Sequence, residues 1–127
     1  MGRPAAAELT ERELEVMHVF WGSGPLTAAG ARDRLAAGGL DRTYPTVANL
    51  VRLLVDKGFL RATNEARPFV YEPARSYEEV SGSLLGELVR RVFRGSRSEL
   101  LCRLAEERRL SAEERAILER ILGEGKS

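Results

Sequence analysis

Apolar residues recur at helical spacing in six stretches of this 127-residue chain, and at alternate positions in one further stretch. The first helical stretch opens at Leu9-Thr10 and carries Leu14, Met17 and Trp21 on one stripe, with Val16 and Phe20 beside it. Thr10 and Glu13 have the Thr-x-x-Glu spacing of a capping box, in which a hydroxyl and a carboxylate each satisfy an unpaired backbone N–H. Gly22-Ser23-Gly24-Pro25 stops that helix. Thr27 caps a shorter second helix over 28–37, closed by Gly38-Gly39. Thr43 opens a third, where Pro45 is tolerated because the first turn leaves its amide position unpaired anyway. Lys57 and Gly58 close it with a cation and a C-terminal glycine. Alternation then replaces the helical period: residues 59–64 and 69–72 read as the strands of a hairpin around a tip at Glu65-Ala66-Arg67-Pro68. Beyond it the pattern is helical over 77–94 and 98–108, and again after Ser111, which forms a second capping box with Glu114.

Three helices, a hairpin and three more helices predict a mainly α chain with a small β-hairpin. Residues 1–8 are expected to be a disordered leader and 9–75 a winged helix-turn-helix. Residues 76–127 are expected to form a helical region whose apolar stripes pair two copies of the chain. That assignment follows from size, since a helical segment this short cannot bury so much apolar surface alone, and two-fold pairs are the commonest solution. The dimerisation residues are then Val80, Leu84, Leu88 and Val92, followed by Leu100, Leu101 and Leu104, and finally Ile117, Leu118 and Ile121.

The third helix separates into two faces when advanced at about 100° per residue. Val47, Leu50, Val51 and Leu54 fall on one side and read as core, while Pro45, Ala48, Asn49, Arg52 and Asp56 lie opposite, with Thr46 at the boundary. A helix that enters a DNA groove needs small residues to approach, and side chains with fixed hydrogen-bond patterns. Asn49 can present donor and acceptor together to adenine, Thr46 can touch a thymine methyl, and Arg52 suits guanine or phosphate. Thr43 and the helix N-terminus suit a phosphate. Arg42, Arg61 and Arg67 are further candidates for phosphate contacts, and Asn64 with Arg67 sits at a hairpin tip that can reach the backbone or minor groove. Any amphipathic surface helix carries residues of these kinds, so periodicity alone leaves an ordinary solvated face as the competing explanation.

Charge does not decide between them. The formal net charge is +1, whereas strongly basic domains advertise nucleic-acid binding. Other chemistry is sparse. His18 is the one histidine and Cys102 the one cysteine, which is too few soft ligands for a metal site. Cys102, between Leu101 and Leu104, reads as a small buried thiol. No nucleophilic triad or phosphate-cradling glycine loop can be assembled, so neither enzymatic activity nor a cofactor is expected. No apolar run approaches the roughly 18 residues of a membrane span, and a single cysteine fits a reducing compartment. A cytoplasmic protein without membrane insertion is expected.

The segments LTERELEVMHVFW, TYPTVANLVRLLVDKGFL and PFVYEPARSYEE together resemble the penicillinase-repressor family of BlaI-, MecI- and CopY-like regulators, over nearly the whole chain. The resemblance implies a homodimeric transcriptional repressor that binds double-stranded palindromic operators through its winged helix. It carries the DNA contacts of the third helix onto Thr43, Thr46, Ala48, Asn49 and Arg52. Three features depart from the family pattern. Leu53 stands where many members have arginine. The bond cleaved in the β-lactam-responsive members, with a membrane-bound sensor protease as partner, falls at Arg103-Leu104. The C-terminal cysteines of the copper-responsive branch are missing from LGEGKS. The inducing signal is therefore open. The competing function is a winged helix that binds a protein partner instead of specific DNA, which the near-neutral charge would suit.

Overall fold

The computed structural model describes residues 6–107 and 110–124. Six α-helices and three short strands follow one another: α1 Glu11–Ser23, β1 Leu26–Thr27, α2 Ala28–Ala37, α3 Tyr44–Asp56, β2 Leu60–Ala62, β3 Val70–Pro73, α4 Tyr77–Val92, α5 Arg97–Glu107 and α6 Ala112–Glu124. Hydroxyl groups begin each of the six helices. Thr10 and Glu13 form the capping box of α1, the Glu13 amide donating to Thr10 Oγ1 at 3.1 Å and the Thr10 amide to Glu13 Oε1 at 2.8 Å. Thr27 and Thr43 cap α2 and α3 by accepting from the Gly30 and Thr46 amides. Ser76 and Ser96 accept from Glu79 and Glu99 at the starts of α4 and α5. Ser111 and Glu114 repeat the reciprocal pair at α6. After α3, Gly58 adopts φ +85°, a left-handed conformation that costs a residue with a Cβ. The turn it makes lets Phe59 donate back to the Leu54 carbonyl at 2.9 Å and sends the chain into β2.

The sheet has three antiparallel strands in the order β1-β3-β2, one more than the expected hairpin. Leu26 pairs with Tyr71 and Thr27 with Val70, while Arg61 lies opposite Glu72. β1 escapes a periodicity reading because it has two residues, and the second of them is also the cap of α2. The strand exists because the β3 edge supplies its partner.

Val16, Met17 and Phe20 of α1, Ala31 and Leu35 of α2, Val47, Val51 and Leu54 of α3, and Phe59 and Leu60 after it make one core. Each large side chain there contributes roughly 1.5–3 kcal/mol by leaving water. Leu50, expected in this core, packs at its margin. Ala6–Glu8 form a single 3-10 turn with Ala6 buried, although a disordered leader was expected there. The Glu8 carbonyl accepts from Lys57 Nζ at 3.2 Å, which ties that turn to the end of α3.

Two compact units divide the chain, one ending at Gly86 and the other beginning at Glu87. This division lies beyond the expected boundary at 75/76, because the start of α4 belongs to the first core. Val80 is 1% exposed within that core and Leu84 packs against it, so Val80 is filled by its own chain and is not free for a partner. The anchoring is specific: Trp21 Nε1 donates to the Arg75 carbonyl at 2.9 Å, and Trp21 meets the Tyr77 ring edge-on at 5.4 Å. Arg75 is itself buried, its guanidinium 4.8 Å from the Phe59 ring centre and its Nε 2.7 Å from Glu79.

Candidate nucleic-acid interface

α3 presents its apolar side to the core and its polar side to solvent because its apolar residues recur three and four apart. On the outer side Asn49 and Arg52 are exposed, while Thr46 and Ala48 are half-buried at its edges. Ala48 lies on a stripe with Tyr44 and Arg52, four residues apart each way, and this stripe forms one wall of an open groove of about 770 Å³. Thr27, Ala28 and Ala29 at the start of α2, and Arg67, Pro68, Phe69 and Tyr71 from the hairpin, line it too. Arg52 from α3 and Arg67 from the hairpin therefore line one groove. The guanidinium of Arg67 lies 5.7 Å from the Phe69 ring centre, within reach of a cation–π attraction.

The other expected contacts are placed less openly. Arg42 Nη2 donates to Glu15 on α1 at 3.1 Å, and its Nε is buried without a hydrogen-bond partner among the described residues. Its side chain is 24% exposed and holds the α2–α3 turn onto α1. Arg61 pairs across the hairpin with Glu72 at 2.8 Å and does not line the groove. Asn64 is spent on the tip itself: its Oδ1 accepts from the Val70 amide at 2.9 Å, and its Nδ2 donates to the Ala66 and Pro68 carbonyls at 3.1 Å each. At the α3 N-terminus, Pro45 has no N–H and the Thr46 amide donates to Thr43 Oγ1 at 3.4 Å. With two of the first three helical positions thus unable to offer an N–H, this terminus is a thin phosphate cradle.

Tyr44, Ala28 and Ala29 also line the groove, beyond the residues that the sequence singles out. A four-residue step back from Arg52 through Ala48 would have found Tyr44. The α2 residues carry no such signal, since small residues at a helix start are ordinary. Cys102, expected to be buried, is exposed on α5, because nothing among the described residues covers that side of the helix. Arg103 and Leu104 are exposed within the same helix. The side chains of Leu118 and Ile121 lie outside the described residues. No group of three or more metal-ligating side chains occurs among the described residues, and no described helix is long and apolar enough to cross a membrane.

Among solved structures, the monomeric form of Bacillus licheniformis BlaI in complex with the blaP half-operator is 26% identical. That match covers 57% of this chain and 87% of that one, with a TM-score of 0.47. The complex of hsRosR-SG aligns over 97% of this chain and 96% of that one at 14% identity, with a TM-score of 0.54. A mutant MarR from E. coli aligns over 95% and 80% at 15% identity, with a TM-score of 0.50. At these last two identities the likeness is one of fold. No curated protein matches the sequence. The sequence does match the penicillinase repressor family over residues 9–124, nearly its whole length. This chain belongs to the penicillinase repressor family, a family of winged-helix DNA-binding transcriptional repressors and not of enzymes.

Proposed function

We propose that the chain acts as a homodimer that inserts α3 of each copy into successive major grooves of a palindromic operator and thereby blocks a promoter. The observation that carries this reading is the groove lined by α3, the start of α2 and the hairpin, with a small residue, Ala48, and two arginines, Arg52 and Arg67, in its lining. A major groove about 12 Å wide admits a helix that presents small and hydrogen-bonding side chains, and Thr46, Ala48, Asn49 and Arg52 are of those types. Arg67 would meet the flanking backbone. Arg42 is largely buried against Glu15, and Arg61 pairs with Glu72 outside the groove, so they contribute less than Arg52 and Arg67, which line it.

Pairing of two copies is supported by apolar side chains left in water along α4, α5 and α6. Leu88, Val92, Leu101, Leu104 and Ile117 are all exposed, together with Leu85, which the stripe reading did not single out for pairing. Exposed apolar groups in such number mark an interaction surface, and a two-fold pair would bring two α3 helices to one duplex. Half-site centres would then lie about 10 bp apart, or a multiple of that. Asn49→Ala should cost roughly 1–3 kcal/mol on the preferred duplex and relax base preference at one position. Fluorescence anisotropy with preferred and random duplexes checks this, and unchanged binding to both would remove Asn49 from the reading face.

A further inference from the structure

We propose that Asn49 and Arg52 read one base as a single donor unit, which selects guanine over adenine; this rests on α3 being the helix that enters the groove. Arg52 Nη2 donates to Asn49 Oδ1 at 2.6 Å, and Arg52 Nη1 lies 3.4 Å from Asp56 Oδ2. The three side chains stand three and four residues apart, the spacing at which helix neighbours meet. All three are exposed, so it is these mutual bonds and not packing that set their orientation.

An asparagine acting alone recognises adenine by accepting from the N6 amino group and donating to N7. Here the accepting oxygen of Asn49 is engaged by a guanidinium. One lone pair of Oδ1 stays open, but an adenine amino group brought to it would set its hydrogens beside the positive charge of Arg52. That repulsion is strongest in a groove from which water has been displaced. What the pair offers outward is donors only: Asn49 Nδ2, which has no partner among the described residues, and the remaining N–H groups of Arg52. Guanine is the base whose major-groove edge presents two acceptors, O6 and N7. Asp56 completes the unit, since its carboxylate draws the far nitrogen of Arg52 along the helix. Arg52 is thereby both a reader and the residue that sets the polarity of Asn49.

The test is selection from a randomised duplex pool by the full chain, by Arg52→Ala and by Asn49→Ala, scored as base preference at each position. Wild type is expected to favour guanine over adenine by about tenfold at one position of the enriched site. Arg52→Ala, which frees Oδ1, is expected to move that same position to adenine. Asn49→Ala is expected to weaken the guanine preference there without a move to adenine. An Arg52→Ala variant that binds all duplexes equally more weakly, with base preference intact, would overturn the proposal and make Arg52 a phosphate contact. Adenine in the wild-type consensus where Asn49→Ala acts would overturn it too. Enrichment of no duplex by wild type would sink the DNA-reading function itself, and this inference with it.

Discussion

Glu13 is 1% exposed, yet it carries a charge, and three groups make that tenable. Burial pushes its carboxyl up, but the Thr10 backbone N–H, the Lys57 ammonium as hydrogen-bond donor and as charge, and the Thr10 hydroxyl outweigh it. They hold the group below its ordinary value of 4.5. Its Oε1 takes both the Thr10 amide and Lys57 Nζ, at 2.8 and 2.9 Å, while Oε2 has no hydrogen-bond partner among the described residues. The result is a clamp between the start of α1 and the end of α3. Removing the cation leaves a buried anion unpaired, so Lys57→Met should cost about 3–5 kcal/mol in denaturant unfolding. Glu13→Gln, which keeps an acceptor for Thr10 and carries no charge, should cost less. The reverse order would mean that Lys57 is held by solvent and not by Glu13. Because the folded state lowers this pKa, the stabilisation is complete above the unfolded value and is lost as pH falls below it. Wild type should therefore lose more stability between pH 5 and 3 than Glu13→Gln does, a comparison that thermal unfolding at several pH values makes directly.

At the scale of elements, Asn64 does most to hold the hairpin tip, beside Thr63, whose hydroxyl donates to the Val70 carbonyl at 3.2 Å. Asn64 supplies an acceptor to Val70 and two donors to the Ala66 and Pro68 carbonyls. These bonds are exposed, and each is worth about 0.5–1.5 kcal/mol net. Asn64→Ala should speed hydrogen exchange at the Val70 amide while leaving the amides of α1 and α3 as protected as before. Equal acceleration in the core would show that the tip and the core unfold together. What could be read from the sequence and what could not divide here along contact range. Both capping boxes, the Thr27 and Thr43 caps and the Gly58 turn were legible, since each joins residues a few positions apart. β1, the Arg42–Glu15 pair and the burial of Val80 were not, since each is decided by a partner tens of residues away. At the interface range is not what decides. Helical spacing assembled Thr46, Ala48, Asn49 and Arg52 on or beside one face. The turn bonds of Asn64 and the bond between Asn49 and Arg52, all within six positions, depend on turn geometry and side-chain rotamers that spacing does not encode.

The whole molecule is nearly neutral, with a formal charge of +1, so its affinity for DNA must come from local placement and from pairing. Two copies would double the phosphate contacts and bury the apolar residues that α4, α5 and α6 leave in water. Replacing two of these together, Leu88→Asp and Leu101→Asp, should halve the mass found by light scattering at micromolar concentration and weaken operator binding. A single-chain mass for wild type at high concentration would remove the two-half-site arrangement. The central claim, that this chain reads DNA through α3, is tested most directly by the affinity for an enriched duplex and a random one at two salt concentrations. The enriched duplex is expected to bind at least about 10³-fold more tightly. On the same claim, log affinity is expected to fall against log salt by about 0.9 for each phosphate neutralised. Binding that is equal for both duplexes, or no salt-dependent binding at micromolar protein, would contradict it and favour a protein partner for the winged helix.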